Sequence, residues 1–158
     1  MDRPPGAGHR GFCGIGVVHG KSSVNIGTLW RSAHGFGADF IFTVGRRYSY
    51  QPSDVTKAPR SVPLFNFQDA DDLVAHLPLE CFLVGVELSV LALPLPEFAH
   101  PERACYLLGA EDHGLPMGIM RRCHTVVFIP GASACLNVSS AGTVVLYDRW
   151  AKGARRHA

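Results

Sequence analysis

The spacing of apolar positions changes along the chain, and each change marks an element. Gly14–His19 is a short, β-branched apolar run and predicts a buried strand. Ile26, Leu29, Trp30 and Ala33 then fall at i, i+3, i+4 and i+7, one face of a helix that Asn25 is placed to cap and that Gly35 and Gly37 stop. Phe40–Val44 predicts a second buried strand. Residues 45–61 are polar, basic and broken by Pro52 and Pro59, which predicts a long surface loop. Val62–Phe67 predicts a short strand. Asp69, Asp71 and Asp72 suit the positive end of a helix running to about His76. Phe82–Leu88 predicts a third strong strand, and Pro94, Pro96 and Pro101 mark another loop. The remaining pattern predicts a strand at Cys105–Leu108, a short helix at Pro116–Arg122 opened by its proline, and a last strand at Val126–Ile129. A terminal helix is expected from Leu136 to about Lys152. Its stripe is Val138, Ala141, Val145 and Asp148, with Val144 and Val145 widening the apolar part. Strand and helix alternate throughout, so the expected class is α/β with a mainly parallel sheet flanked by helices.

Composition narrows the class. A chain of 158 residues, 47% hydrophobic and 18% charged, suits one globular domain. We expect a flexible stretch at 1–10 and a frayed basic tail at 153–158. No apolar run is long enough to span a bilayer, and the segment MDRPPGAGHR lacks a signal peptide's apolar stretch, so the expected location is the cytoplasm. The five cysteines form no C-x-x-C pair and the eight histidines form neither H-x-x-x-H nor H-E-x-x-H, so no metal is expected. A net charge of +2 is weak evidence for nucleic acid, but its distribution is uneven. Arg46, Arg47, Lys57 and Arg60 cluster in the 45–61 loop, and Arg149, Lys152, Arg155 and Arg156 near the end. Either cluster alone reads as solvated surface.

Candidate chemistry lies in four places. Gly14-Ile15-Gly16 with Gly20 approximates a dinucleotide fingerprint, but the third glycine is one residue late and no acidic residue follows at the expected distance, so a Rossmann site is rejected. Arg31 lies about 140° around the helix from its apolar face and reads, in isolation, as a surface arginine. Leu107 to Pro116 sets two glycines around Glu111-Asp112-His113 between a strand and a helix, where α/β sheets bind ligands, although it is equally a connecting turn. Phe128-Ile129-Pro130, Gly131–Ala134 and Cys135–Ala141 combine small residues with Asn137, which alone would be a helix cap.

In order and spacing together these segments resemble the SpoU/TrmH branch of the SPOUT RNA methyltransferases. Asn25-Ile26-Gly27-Thr28-Leu29-Trp30-Arg31 resembles the family's first motif. Leu108-Gly109-Ala110-Glu111 through Gly114-Leu115-Pro116 resembles its second, and Leu136-Asn137-Val138-Ser139 through Ala141 its third. The resemblance spans about Gly14 to Trp150. It implies a fold ending in a deep trefoil knot whose loops bind S-adenosylmethionine, largely through backbone groups, and a homodimer whose active site is completed across the interface. It also implies cofactor contacts near Val86, Gly109, Ile129, Cys135 and Leu136. Arg31 matches the catalytic arginine, Asn25 the asparagine that positions it or the RNA, and Glu111 and Asn137 polar residues that shape the site. The basic loop and tail clusters would then hold RNA phosphates. The implied reaction is methylation of a ribose 2′-hydroxyl, with either Arg31 itself or an RNA phosphate beside it accepting the proton.

The compact chain resembles the family's minimal tRNA enzymes, which makes tRNA the expected substrate. An rRNA enzyme is the alternative within the class, and a non-catalytic knotted RNA-binding module the alternative outside it. A generic nucleotide-binding protein is disfavoured by the failed fingerprint. One position departs from the family, which usually has Ser where this chain has Cys135. A thiol is the weaker hydrogen-bonding group, so the change matters if that side chain acts and is harmless if only its backbone does.

Overall fold

Seven strands run parallel in one sheet, in the order β3-β2-β1-β6-β4-β7-β5. They are β1 Phe12–Val18, β2 Phe40–Val44, β3 Leu64–Phe67, β4 Phe82–Val86, β5 Leu93–Pro94, β6 Arg103–Leu108 and β7 Thr125–Phe128. The helices are α1 Ser23–Gly35, α2 Ala70–Ala75, α3 Met117–Met120 and α4 Val138–Arg155, with a 3-10 turn at Leu95–Glu97. The structure is a computed structural model and describes residues 11–48, 61–131 and 135–155.

The alternation of side chains along each strand builds two cores. On one face Ile15 and Val17 of β1, Tyr106 and Leu108 of β6 and Val84 and Val86 of β4 pack under α1 and α4. On the other, Val18, Phe42, Leu83, Cys105 and Leu107 pack with Leu73 of α2 and Leu115. Gly14 and Gly16, the pair that imitates a nucleotide fingerprint, have a packing role. A Cβ on either would lie 2.4 Å from the ring of Phe40 or Phe42, which cross β1 there. The two main helices also need a small residue between them. A Cβ at Gly142 would lie 2.4 Å from Leu29 Cδ1, and beside it Ser32 Oγ and Thr143 Oγ1 share a 2.6 Å hydrogen bond.

Several boundaries differ from the sequence reading, each for a local reason. Ser22, not Asn25, caps α1, because its side chain accepts the Asn25 N–H while the Asn25 amide reaches another loop. β4 ends at Val86, where Glu87 turns its carboxylate back onto the N–H of Leu88. The proline-marked loop contains the short edge strand β5 and the 3-10 turn. On α4 it is Leu146, 2% exposed, that widens the apolar stripe, while Val144 is 38% exposed. The chain expected to fray from 153 stays helical to Arg155. Residues 1–10 and 156–158 lie outside the described residues.

The basic tail requires a larger correction. Arg149 turns inward and donates to the carbonyls of Pro101 and Glu102 at 2.5 and 2.7 Å and to Tyr106 Oη at 3.1 Å. Lys152 donates to the carbonyls of Leu95 and Phe98 and pairs with Asp148. These two cations fasten α4 to the loop before β6 and are not available to RNA phosphates. At their centre His100, with a side chain 5% exposed, lies 2.6 Å from Tyr106 Oη and 2.8 Å from Asp148 Oδ2. Burial pushes its imidazole down to about 4; Asp148 pulls it up, and Lys152 and Arg149 push it further down. The folded state therefore holds His100 neutral below the pH at which the unfolded chain protonates it. Its stabilisation is present above about pH 6.5 and is lost as pH falls through 4, a change on the order of 3 kcal/mol. The melting temperature should fall steeply across that window and His100→Gln should flatten the fall. An unchanged slope in the variant would assign the acid sensitivity elsewhere.

Candidate active site

The chain leaves β1 toward the α1 face of the sheet and leaves the adjacent β6 toward the opposite face. A crevice at the C-terminal ends of two such strands is where open α/β sheets bind ligands. Residues 19–25 and 109–116 meet there. Asn25 Nδ2 donates to Glu111 Oε1 at 2.7 Å, and Asn137 Nδ2 donates to Asn25 Oδ1 at 2.9 Å. Asn137 Oδ1 accepts from Ser139 N at 2.9 Å, Ser139 Oγ at 2.6 Å and Ser140 N at 3.3 Å. Asn137 is thus the helix cap its sequence suggests and also the end of a hydrogen-bonded chain joining three distant segments. Partial desolvation works to raise the Glu111 carboxyl. The hydrogen bonds from Asn25 and from backbone N–H groups, those of Lys21 and Ser22 among them, outweigh it and hold the group below the usual range. Glu111 is therefore an ionised acceptor at neutral pH.

Beyond β6 the loop closes on itself. A Cβ at Gly109 would lie 2.0 Å from the Gly114 carbonyl carbon, and Gly114 itself has φ +63. The Glu87 carboxylate holds this turn from β4, accepting Leu115 N at 2.6 Å and Leu88 N at 2.9 Å. Val86 and Gly109 are buried, Ile129 packs against the core, and Cys135 and Leu136 are exposed beside Asn137. Val86, Gly109 and Ile129 lie at or just beyond the C-terminal ends of adjacent strands β4, β6 and β7. These strand ends bring together apolar side chains and the backbone of the Gly109 turn, with the Glu87 carboxylate beside them. That donor set suits a nucleoside carrying positive charge, which the carboxylate balances.

Arg31 is exposed, and among the described residues it has no hydrogen bond or ion pair. Six positions from Asn25, it starts about 240° around α1, and among the described residues it makes no hydrogen bond to Asn25, Glu111 or Asn137. Arg46 and Arg47 are exposed just after β2. Lys57 and Arg60 lie outside the described residues.

A model of the SpoU rRNA Methylase family matches residues 15–147. The chain belongs to this family. Its similarity to the 23S rRNA (guanosine-2′-O-)-methyltransferase RlmB of Acinetobacter baylyi is 30% identity over 132 residues, covering 78% of this chain and 53% of that protein. Among solved structures, the SpoU methyltransferase AviRb from Streptomyces viridochromogenes in complex with AdoMet superposes with a TM-score of 0.79 at 24% identity, covering 92% of this chain and 58% of that one. A structure concerned with the 2-OH methylation of C/U34 on tRNA superposes at 0.73 with 21% identity, covering 89% of this chain and 95% of that one. The chain spans about half the length of the curated relatives it matches.

Two polar residues of this SpoU domain escaped the sequence reading. Glu87 sits inside an apolar strand pattern, and its only signal is a carboxylate where the strand should continue. Lys21 precedes the first motif. Its backbone N–H donates to Glu111 Oε2 at 3.4 Å and its ammonium pairs with Asp112. Among the described residues no group of three or more His, Cys, Asp or Glu could hold a metal ion, and no helix is long and apolar enough to cross a membrane.

Proposed function

We propose that this protein is an S-adenosylmethionine-dependent RNA methyltransferase that modifies a ribose 2′-hydroxyl, with tRNA as its substrate and the cytoplasm as its location. The observation that carries this reading is the hydrogen-bonded chain Glu111–Asn25–Asn137, which gathers the three motif segments at the crevice between β1 and β6. When bound, S-adenosylmethionine supplies a methyl group already activated on a sulfonium. Val86, Gly109, Ile129, Cys135 and Leu136 would hold it, and the resemblance implies that the segment after β7 is threaded as a trefoil knot around that site. The tRNA reading is supported by the likeness in fold to the neighbour concerned with the 2-OH methylation of C/U34 on tRNA. A second reading, an rRNA substrate, is supported by the 30% identity to RlmB.

The residues themselves have definite work in this scheme. A ribose hydroxyl is a poor nucleophile until it loses its proton, so orientation and a proton route are what the protein must add. Glu111, ionised and fixed by Asn25, and Asn137, fixed by its own cap, fix the shape of one wall. Arg31 presents a planar fork that can bind the hydroxyl and an adjacent phosphate together. The proton leaves either to that phosphate or to the Arg31 guanidine, and the latter route requires the guanidinium, protonated at neutral pH, to give up its own proton first. Because Arg31 points away from Asn25 within one chain, we place it in the site of a second copy. The outer side of α4 supports such pairing, with Tyr147 and Trp150 each 53% exposed.

The test is transfer of labelled methyl from S-adenosylmethionine to RNA from cells lacking the protein, followed by mapping of the modified nucleotide. Incorporation into tRNA at a 2′-oxygen is expected; incorporation into rRNA selects the second reading, and none into any RNA refutes both. Cys135 is exposed and no described hydrogen bond uses its thiol. Cys135→Ser should therefore leave the rate within about threefold or raise it, since the hydroxyl is the better hydrogen-bonding group. A large loss would show that the thiol has its own function.

A further inference from the structure

Between the C-terminal ends of β1 and β2, next to the start of α1, lies a cavity of about 180 Å³. Lys21, Arg46 and Arg47 line it with Ser22 and Ser23, and no carboxylate is among its described lining residues. Three cations facing one concavity repel each other and concentrate positive potential there. Among the described residues Arg46 and Arg47 have no hydrogen bond or ion pair, and the Ser23 hydroxyl has no partner. Among the described residues, then, nothing competes with an anion for the donors of Arg46 and Arg47. Of the three, Lys21 alone has an ion-pair partner among the described residues, Asp112 of the 109–116 loop. Both members of that pair are well exposed, at 55% and 42%, so the bond contributes little and is easily exchanged. The lysine pairing shifts the Asp112 carboxyl to below the usual range, which keeps it charged.

We propose that this cavity is the subsite for an RNA backbone phosphate flanking the target nucleotide, and that Asp112 is the counter-charge Lys21 exchanges for that phosphate when RNA enters. The proposal rests on the methyltransferase reading only for the identity of the neighbouring site. Lys21 is the hinge of the argument. Its main chain is held by Glu111, beside the proposed target ribose, and its side chain lines the cavity. A strand that places its ribose at Asn25 and Glu111 thus has its next phosphate within reach of three cations. A phosphodiester fits better than a free metabolite, because the recognition is all charge and hydroxyl and the cavity opens on the same crevice.

The test uses Arg46→Ala/Arg47→Ala, Lys21→Ala and Asp112→Asn in the full chain. All four side chains are exposed, and thermal melting confirms folding. A labelled mixed-sequence RNA oligonucleotide is titrated at several salt concentrations, and transfer is measured on RNA from cells lacking the protein. The arginine pair should weaken RNA binding about tenfold or more, raise the KM for RNA equally, and leave kcat and cofactor affinity within about twofold. The slope of log K against log salt should flatten by roughly one unit per cation removed. Lys21→Ala should act in the same direction. Asp112→Asn should have the opposite sign, with tighter RNA binding, whereas a merely structural ion pair would weaken it. Unchanged affinity and slope in the arginine pair, or weaker binding by Asp112→Asn, would overturn the proposal. If the wild type transfers no methyl to any RNA, the methyltransferase reading fails, and the binding and salt measurements still decide the cavity.

Discussion

Arg31→Ala is expected to lower the methyl-transfer rate by about three orders of magnitude while leaving stability and self-association unchanged. The two halves of that expectation have separate grounds. The side chain is exposed and unpaired among the described residues, so its removal should shift stability by less than about 0.5 kcal/mol. In the proposed reaction it is the only group that can bind the hydroxyl and a phosphate at once, so nothing replaces it. Arg31→Lys should recover little, because an ammonium is a point charge without the planar fork. The placement of Arg31 in a partner's site gives a sharper measurement. Mixing Arg31→Ala with Glu111→Ala, each inactive alone, should restore up to about a quarter of wild-type activity, since random pairing gives half heterodimers with one intact site each. No restoration would place both residues in one chain's site. Full activity in Arg31→Ala would remove it from the mechanism.

Gly109→Ala should abolish useful cofactor binding. The added Cβ would lie 2.0 Å from Gly114 C, 2.2 Å from Leu115 N and 2.4 Å from Gly114 O, all backbone atoms that cannot rotate away. The turn must open, and with it goes the 2.6 Å bond from Leu115 N to Glu87. We expect S-adenosylmethionine affinity, read by calorimetry, to fall at least about a hundredfold, near 2.7 kcal/mol. The cost to folding should be about 1–3 kcal/mol, as for other overpacked sites, leaving the sheet intact by circular dichroism. Wild-type affinity in a folded Gly109→Ala protein would move the cofactor away from this loop.

The two predictions differ in how far the sequence alone could have made them. Local pattern was a good guide wherever one element settles the matter. The strand Phe40–Val44, the start of the strand at Phe82, the face Ile26, Leu29, Trp30 and Ala33, and the acidic start of the helix after Asp69 all follow from periodicity and chain chemistry, which act over a few residues. The three motifs could be recognised because their order survives in the chain. That much identified the α/β class and the family, and it placed Arg31 on an exposed helix face.

What pattern could not supply is anything decided by residues far apart in the chain. Asn25 is a plausible cap by sequence, yet its amide spans 86 positions to Glu111 and its carbonyl 112 to Asn137, so Ser22 takes the capping role. Arg149 and Lys152 have the composition of a nucleic-acid tail, yet carbonyls of the irregular loop 95–102 claim both. Glu87 is hidden in an apolar run and becomes meaningful only because Leu115 N is folded over it. In each case a buried or half-buried polar group must find a partner, and only the packed chain determines which one is within reach. The sequence by itself determined the alternating sheet, the family motifs and the outward Arg31. The tertiary structure alone decided that Asn25, Glu111 and Asn137 form one cluster, that Arg149 and Lys152 turn inward, and that Lys21, Arg46 and Arg47 line one cavity.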